Sequence, residues 1–268
     1  MEEAAKVVVS DRYPEPVRKV AGIDVAYQGD VAVAACVVVN IPSLRISHRA
    51  TRTSNTRFPY VSTLLSYREG PPLVQLMESL PDTLDVFLIN AHGVAHPRFC
   101  GCASHVGVVT RRPTIGVAVR NLCGTYPASP FTEGEAVPVS FKGRPVGWVF
   151  KSKAGCNPLY ISPGHLVSID SSLEIVRRCM GVYKLPVPLH LAHRLAKEVR
   201  AQLPQKLRSD PKEDGPFDRD PLLTSGDVVY GCRLDADVDV AGLFRYSDAE
   251  VDGDGCAARR HPLDPRRG

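Results

Sequence analysis

Thirteen residues, Val86 to Arg98, hold a dense set of groups able to do chemistry. Val86, Phe87, Leu88 and Ile89 form a short apolar run that reads as a buried strand. The run stops abruptly in Asn90, Ala91, His92 and Gly93, and His96, Pro97 and Arg98 follow. An imidazole moves a proton near neutral pH or holds a metal, and a guanidinium clamps phosphate oxygens two at a time. Pro97 fixes the backbone between them. Open α/β sheets bind ligands beyond the carboxyl ends of their strands, where the chain turns out. On this stretch alone, a polar loop that merely caps a strand is an equal alternative. Asp24 is a second candidate: a carboxylate inside Val20–Tyr27 with apolar neighbours on both sides. Burying a lone carboxylate is costly unless it is salt-bridged or holds a cation.

Several elements must position these groups. Val20–Tyr27 and Val31–Val39 flank the turn Gln28-Gly29-Asp30 and read as a hairpin. Residues 40–57 complete a meander. Its arginines Arg45, Arg49, Arg52 and Arg57 either meet phosphates or form a solvated edge, the edge being favoured. Phe58-Pro59-Tyr60-Val61 precedes a helical stretch through Glu69. Pro71-Pro72 then restarts a helix with Leu73, Leu76, Met77 and Leu80 inward. After the strand Val86–Ile89, Cys100–Val109 reads as a helix of small residues and Thr114–Val119 as a strand. Gly124–Gly147 is a loop or hairpin, and Trp148–Ser152 and Leu159–Ser162 are further strands. Ser168 caps a helix carrying Ile169, Leu173, Val176 and Met180, and a second helix spans Pro188–Leu203. A meander followed by alternation gives an α/β mixed sheet flanked by helices.

From Pro204 the character changes. Ser209–Asp220 is charged and proline-containing and reads as disordered. Asp227–Val240 alternates apolar and acidic residues, as an edge hairpin would. Asp252-Gly253-Asp254-Gly255 lacks the remaining ligands of a calcium loop. The expected organisation is a catalytic domain over 1–205 and an acidic, partly disordered accessory extension over 206–268.

Asn-Ala-His-Gly-Val-Ala-His-Pro-Arg, from Asn90 to Arg98, resembles the central motif of the endonuclease V family, Asp-Gly-x-Gly-Ile-Ala-His-Pro-Arg. Six more segments fit in the family's order. They are Gly22-Ile23-Asp24-Val25, Phe58-Pro59-Tyr60, Ser66-Tyr67-Arg68-Glu69, Ala103–Val108, Pro113–Ala118 and Leu159–His165. The likeness covers about residues 5 to 203. It implies a ribonuclease H-like α/β fold and a deoxyinosine 3′-endonuclease of DNA repair. It also implies a metal site of Asp24, Glu69 and Asn90 for Mg²⁺, with Mn²⁺ as a substitute. Asp24, Glu69, His96 and His165 become the catalytic candidates. Tyr60, as a wedge beside the damaged base, joins Gly93, Arg98 and His105 as nucleic-acid-binding candidates.

The chain departs from that pattern where chemistry would occur. Asn90 stands where the family has Asp, which removes a negative charge from the cation site. Ala91 replaces a glycine, and Val119 replaces a lysine that Arg120 cannot simply restore, since adjacent strand residues face opposite ways. Ser62-Thr63 replaces Pro-Gly after the wedge. Leu166 replaces Arg, and Lys184, Val187 and His190 replace Arg, Glu and Arg. The leading reading is an active inosine-directed endonuclease with a weakened metal site. The alternatives are a catalytically impaired nucleic-acid-binding protein, an inosine-RNA-directed ribonuclease, and a stable domain with unrelated ligands.

Bulk properties limit the remaining classes. The 268 residues are 44% hydrophobic and carry a net charge of +4. Residues 1–205 hold +8 and residues 206–268 hold −4. A basic body suits a polyanionic partner; the resemblance makes that partner inosine-containing DNA, single- or double-stranded, and leaves RNA open. Eight cysteines include no Cys-x-x-Cys pair, so zinc-ligand spacing is missing. With no bilayer-length apolar run and no signal peptide, the expectation is a cytoplasmic monomer with reduced cysteines and no membrane partner.

Overall fold

The computed structural model describes residues 6–10, 16–56, 58, 64–127, 132–204 and 230–231. Tyr60, Arg57 and Ser62-Thr63 lie outside the described residues, as does the 206–268 extension apart from Tyr230–Gly231. Strand β1 (Lys19–Gln28) turns through Gly29 and Asp30 into β2 (Val31–Asn40), in unbroken register from Lys19 opposite Asn40 to Gln28 opposite Val31. Gly29 takes φ 57°, which this tight turn needs and which costs glycine least. β2 is buried almost throughout, so its sequence is a continuous apolar run rather than an alternation. β3 (Ile46–Asn55) completes the meander as a half-buried strand, and Arg52 Nε donates to Gln75 Oε1 at 3.3 Å.

Helix α1 (Leu65–Glu78) differs from the sequence expectation. No break occurs at Pro71-Pro72; one helix runs through both. Pro72 has no N–H for the Arg68 carbonyl one turn back. That carbonyl instead accepts from Tyr27 Oη at 3.3 Å and Thr56 Oγ1 at 3.5 Å. β1 and the residue after β3 thus satisfy the group that proline leaves over. Leu73, Leu76 and Met77 are buried on the helix's inner face.

The remaining elements are β4 (Val86–Ile89), α2 (Cys102–Thr110), β5 (Thr114–Ala118), β6 (Ala136–Phe141), β7 (Arg144–Phe150), β8 (Leu159–His165), α3 (Ile169–Arg178) and α4 (Val187–Ala201). Two residues, Tyr230–Gly231, form β9 and pair in parallel with Ala50 and Thr51 of β3. The sheet order is β6-β7-β8-β5-β4-β1-β2-β3-β9. β1, β4 and β5 are mutually parallel at its centre, and antiparallel strands flank them. This is the ribonuclease H-like α/β arrangement expected, with helices on both faces. Of the Gly124–Gly147 excursion, the part from Ala136 onward lies in the β6–β7 hairpin. Ser168 caps α3 as anticipated, its side chain accepting from Ser171 N at 3.0 Å.

One face carries α3 and α4. Val20, Val86, Leu88, Ile115, Val117, Leu159 and Ile161 of the sheet meet Leu173, Val176, Leu185 and Leu189 there. Contact is close enough that a Cβ on Gly22 would stand 2.2 Å from the Pro188 carbonyl carbon. α1 and α2 cover the other face. The six cysteines among the described residues are free thiols. No helix among the described residues is long and apolar enough to cross a membrane.

Candidate functional site

Side chains alternate along a strand. Val20, Gly22 and Asp24 of β1 therefore face α3 and α4, as do Val86, Leu88 and Asn90 of the β4 strand and its extension. Ile23 pairs with Ile89, and Asn90 N donates to Ile23 O at 3.3 Å, so Asp24 and Asn90 leave neighbouring strands at one level. Asn90 Nδ2 donates to Asp24 Oδ1 at 3.1 Å. His193 of α4 meets Asp24 Oδ2 through Nδ1 at 2.5 Å. Asp24 itself is only 8% exposed, and both its oxygens have a protein partner.

Sequence reasoning missed His193. It lies 169 residues from Asp24, and its only local sign is an imidazole one position past the inward-facing Ala192 of an amphipathic helix. Helix α4 packs on β1 and β2 through Leu191, Ala192, Leu195 and Ala196, which presents the next residue to the sheet's carboxyl edge.

Glu69 sits on α1, the helix of the opposite face. Its charge acts on two groups there: it helps hold the Tyr27 phenol well above its ordinary range, behind the larger effect of burial. It acts likewise on the Cys102 thiol, again after burial. Among the described residues no three His, Cys, Asp or Glu side chains converge as a metal-holding group. The structure thus brings Asp24 together with Asn90 and His193, and does not gather Glu69 with them into such a cluster.

The loop after Asn90 folds over the α1–α2 face. Gly93 N donates to Ser162 Oγ at 2.9 Å, Val94 N to Pro163 O at 2.8 Å, and Gly101 N to Gly93 O at 2.9 Å. A Cβ on Gly93 would lie 2.1 Å from Pro163 O, so β8 excludes any side chain at this position. His92 is pushed down to about 4, chiefly by burial and next by the neighbouring His96, with a hydrogen bond to the Arg120 backbone acting in the opposite sense. His92 is therefore neutral at pH 7. His96 is 5% exposed, and its Nδ1 accepts from Arg98 N at 3.2 Å, which leaves Nε2 as the proton-bearing nitrogen of the neutral ring. Arg98 is exposed. Val119, at the family's lysine position, is a 40% exposed hydrophobe just past β5.

His165 and His105 lie deeper on the same face. His165 is in register with Thr114, which pairs with Phe87, three residues before Asn90. At about 3.3 Å per residue that is roughly 10 Å from Asn90 along the strand direction. Its Nδ1 accepts from Val8 N at 3.2 Å, α2 lies against it at Gly107, and burial lowers its pKa. His105 is a buried residue of α2. Leu166, in the position of a family arginine, takes φ 56° and donates its N–H to Val8 O.

Asp24, Asn90 and His193 form one hydrogen-bonded group of a carboxylate, an amide and an imidazole. Its carboxylate and amide oxygens are of the type a hard divalent cation takes, while the amide and imidazole nitrogens are engaged with Asp24.

The comparisons with known proteins agree with this fold. The family model for endonuclease V matches residues 2–194. A Streptomyces avermitilis endonuclease V structure is 33% identical, with a TM-score of 0.69, and the match covers 75% of this chain and 90% of that one. The catalytic domain of human endonuclease V is 29% identical with a TM-score of 0.67, covering 75% and 92% of the two chains. A Ciona intestinalis endonuclease V, crystallised with DNA containing an inosine followed by a ribo-adenosine, is 25% identical with a TM-score of 0.66, covering 75% and 94%.

Proposed function

The chain belongs to the endonuclease V family, and on that premise we propose that it is a metal-dependent nuclease nicking DNA on the 3′ side of deoxyinosine. The observation that carries this reading is the convergence of Asp24, Asn90 and His193 where β4 ends against the middle of β1, at the start of the loop that leads to His96 and Arg98. Asp24, Asn90 and His193 would hold the cation, with Glu69 as a further carboxylate. Mg²⁺ is the proposed ion and Mn²⁺ its substitute. A bound cation supplies Lewis acidity at a phosphoryl oxygen.

The chain's own groups do the rest. His193 orients the Asp24 carboxylate through Oδ2. His96, its Nδ1 accepting from Arg98 N, presents a neutral Nε2–H that can donate a hydrogen bond to a phosphate or leaving oxygen. Arg98, exposed at the end of the loop, clamps phosphate. Gly93 is required for the loop to lie against β8, where it lines the base pocket. Tyr60 is proposed as the wedge that fills the stack when the base leaves it, with His105 and His165 supporting the pocket from below.

A second reading is favoured by one observation. Both Asp24 oxygens already accept from protein donors, so a cation must compete for the lone pairs that remain. That suits a strand-binding protein that cleaves poorly. Single-turnover assays on inosine- and adenosine-containing DNA and RNA, single- and double-stranded, with Mg²⁺ or Mn²⁺, separate the two. The nuclease reading expects inosine-dependent product above that of Asp24→Ala. Binding without product in either metal would establish the second reading.

A further inference from the structure

Beyond Arg98 the chain lines up aromatic and cationic side chains that the nuclease reading leaves unused. Phe99 takes φ 55°, a left-handed conformation that is costly for a bulky aromatic residue. It is held there by contact with the β6–β7 hairpin. The Phe99 and Phe141 rings stand 5.5 Å apart between centroids. The Arg144 guanidinium lies 5.7 Å from the Phe99 centroid, and Lys142 Nζ lies 5.2 Å from that of Phe141. Lys142 and Gly143 form the hairpin turn at φ 50° and 72°. Buried Val94, Ala95, Val139, Val146 and Val149 support the rings from beneath. Arg98, Lys142 and Arg144 are exposed, and no carboxylate pairs with any of them among the described residues.

We propose that Arg98, Phe99, Phe141, Lys142 and Arg144 form a track for the phosphodiester backbone of the substrate strand flanking the lesion. The proposal rests on the nuclease reading. Three cations without a carboxylate partner among the described residues, on an apolar base, present donors outward, which suits a polyanion. Aromatic faces orient the cations of Lys142 and Arg144, so less freedom is lost when a phosphate arrives. The track begins at Arg98, the last residue of the site loop, so a strand held at the loop meets it next. Contacts of this kind carry no base information.

The test uses the full chain carrying Lys142→Asn and Arg144→Gln together. Asparagine before glycine suits the left-handed turn, so the hairpin is kept while both charges go. Affinity for a labelled single strand bearing one inosine, and for its adenosine counterpart, is measured against salt without divalent cation. The magnitude of the log–log slope is expected to fall by about 1.4, at roughly 0.7 per lost phosphate contact, and both strands lose affinity equally. The double variant Lys153→Gln/Arg177→Gln, which removes two cations at the other end of the hairpin, leaves the slope unchanged. An unchanged slope in the Lys142/Arg144 variant, or an equal fall in the control, overturns the track while leaving the nuclease reading standing. So does a variant that keeps its slope but loses affinity for a poly-glutamate peptide, which would make this a protein-binding face. A folded wild-type chain that binds neither strand overturns both.

Discussion

Asp24 has one partner on each oxygen, and neither partner is a carboxylate. Asn90→Asp replaces the 3.1 Å amide contact with a second negative charge, so the variant should melt lower than wild type without metal. Added Mg²⁺ or Mn²⁺ should then raise its melting temperature more than that of wild type, because the cation binds the folded form. Single-turnover cleavage with Mg²⁺ should rise by roughly tenfold or more, since a charge-assisted contact contributes about 1.5–3 kcal/mol. No gain over wild type would mean that the amide is already a competent ligand. His193→Ala should lower activity by about 10–100-fold, the usual effect of removing a group that orients a ligand, and His193→Gln should recover part of it. His92 gives a pH signature. Its folded value of about 4 lies below the ordinary 6.5, so between those values the unfolded chain binds a proton that the folded chain refuses. Stability should therefore fall on acidification through that window, by at most about 1.4 kcal/mol per pH unit, and His92→Gln should flatten the slope. His190, also lowered to about 4 by burial first, adds in the same direction, discounted because it is only partly buried. Urea midpoints at pH 7 and 5 measure this; an unchanged difference in His92→Gln would rule His92 out as the source.

Local patterns predicted elements well where the local chain decides the outcome. The β1–β2 hairpin was legible from two apolar runs around Gly29, β4 from four buried residues before Asn90, and the start of α3 from Ser168. Helix α1 was not, because its continuity through Pro71-Pro72 depends on donors from Tyr27 and Thr56, far away in sequence. His193 was invisible for the same reason: only the packing of α4 on β1 brings it to Asp24. Glu69, Asn90 and Tyr60 were named through the family motif rather than by any local physical signal. Two element-level outcomes follow from the packing. Tyr27→Phe removes one of the two donors that satisfy the Arg68 carbonyl, at a cost of about 0.5–1.5 kcal/mol in urea unfolding. If Tyr27→Phe is neutral, the Thr56 contact alone suffices. Gly93→Ala forces a methyl to within 2.1 Å of Pro163 O, and such overpacking costs typically about 1–3 kcal/mol or more. Loss of inosine preference alongside that destabilisation would tie loop position to the base pocket; loss of stability alone would make Gly93 a packing residue.

At the scale of the whole molecule the charge is divided. Residues 1–205 carry +8 and residues 206–268 carry −4, while the site residues described all lie in the first part. The family match also ends within it, at residue 194. An acidic extension tethered to a basic body competes with phosphates for it, and the competition is strongest at low salt, where the screening length is long. Of the extension, Tyr230–Gly231 pairs at the β3 edge, which is across β2 and β1 from Asn90. Ending the chain after Pro204 should therefore leave strand binding intact at moderate salt and strengthen it at low salt. It should steepen the dependence of affinity on salt, because fewer phosphates are displaced by the chain's own carboxylates. Removing the β9 contact leaves β3 as an unpaired edge, so the shortened chain is also expected to self-associate more readily as concentration rises. Titration of one labelled strand with both forms across a salt series, with light scattering on the same samples, reads both effects. A shortened chain that stays folded and monodisperse but no longer binds would place part of the binding surface in residues 205–268, and the division of labour argued from charge would be wrong.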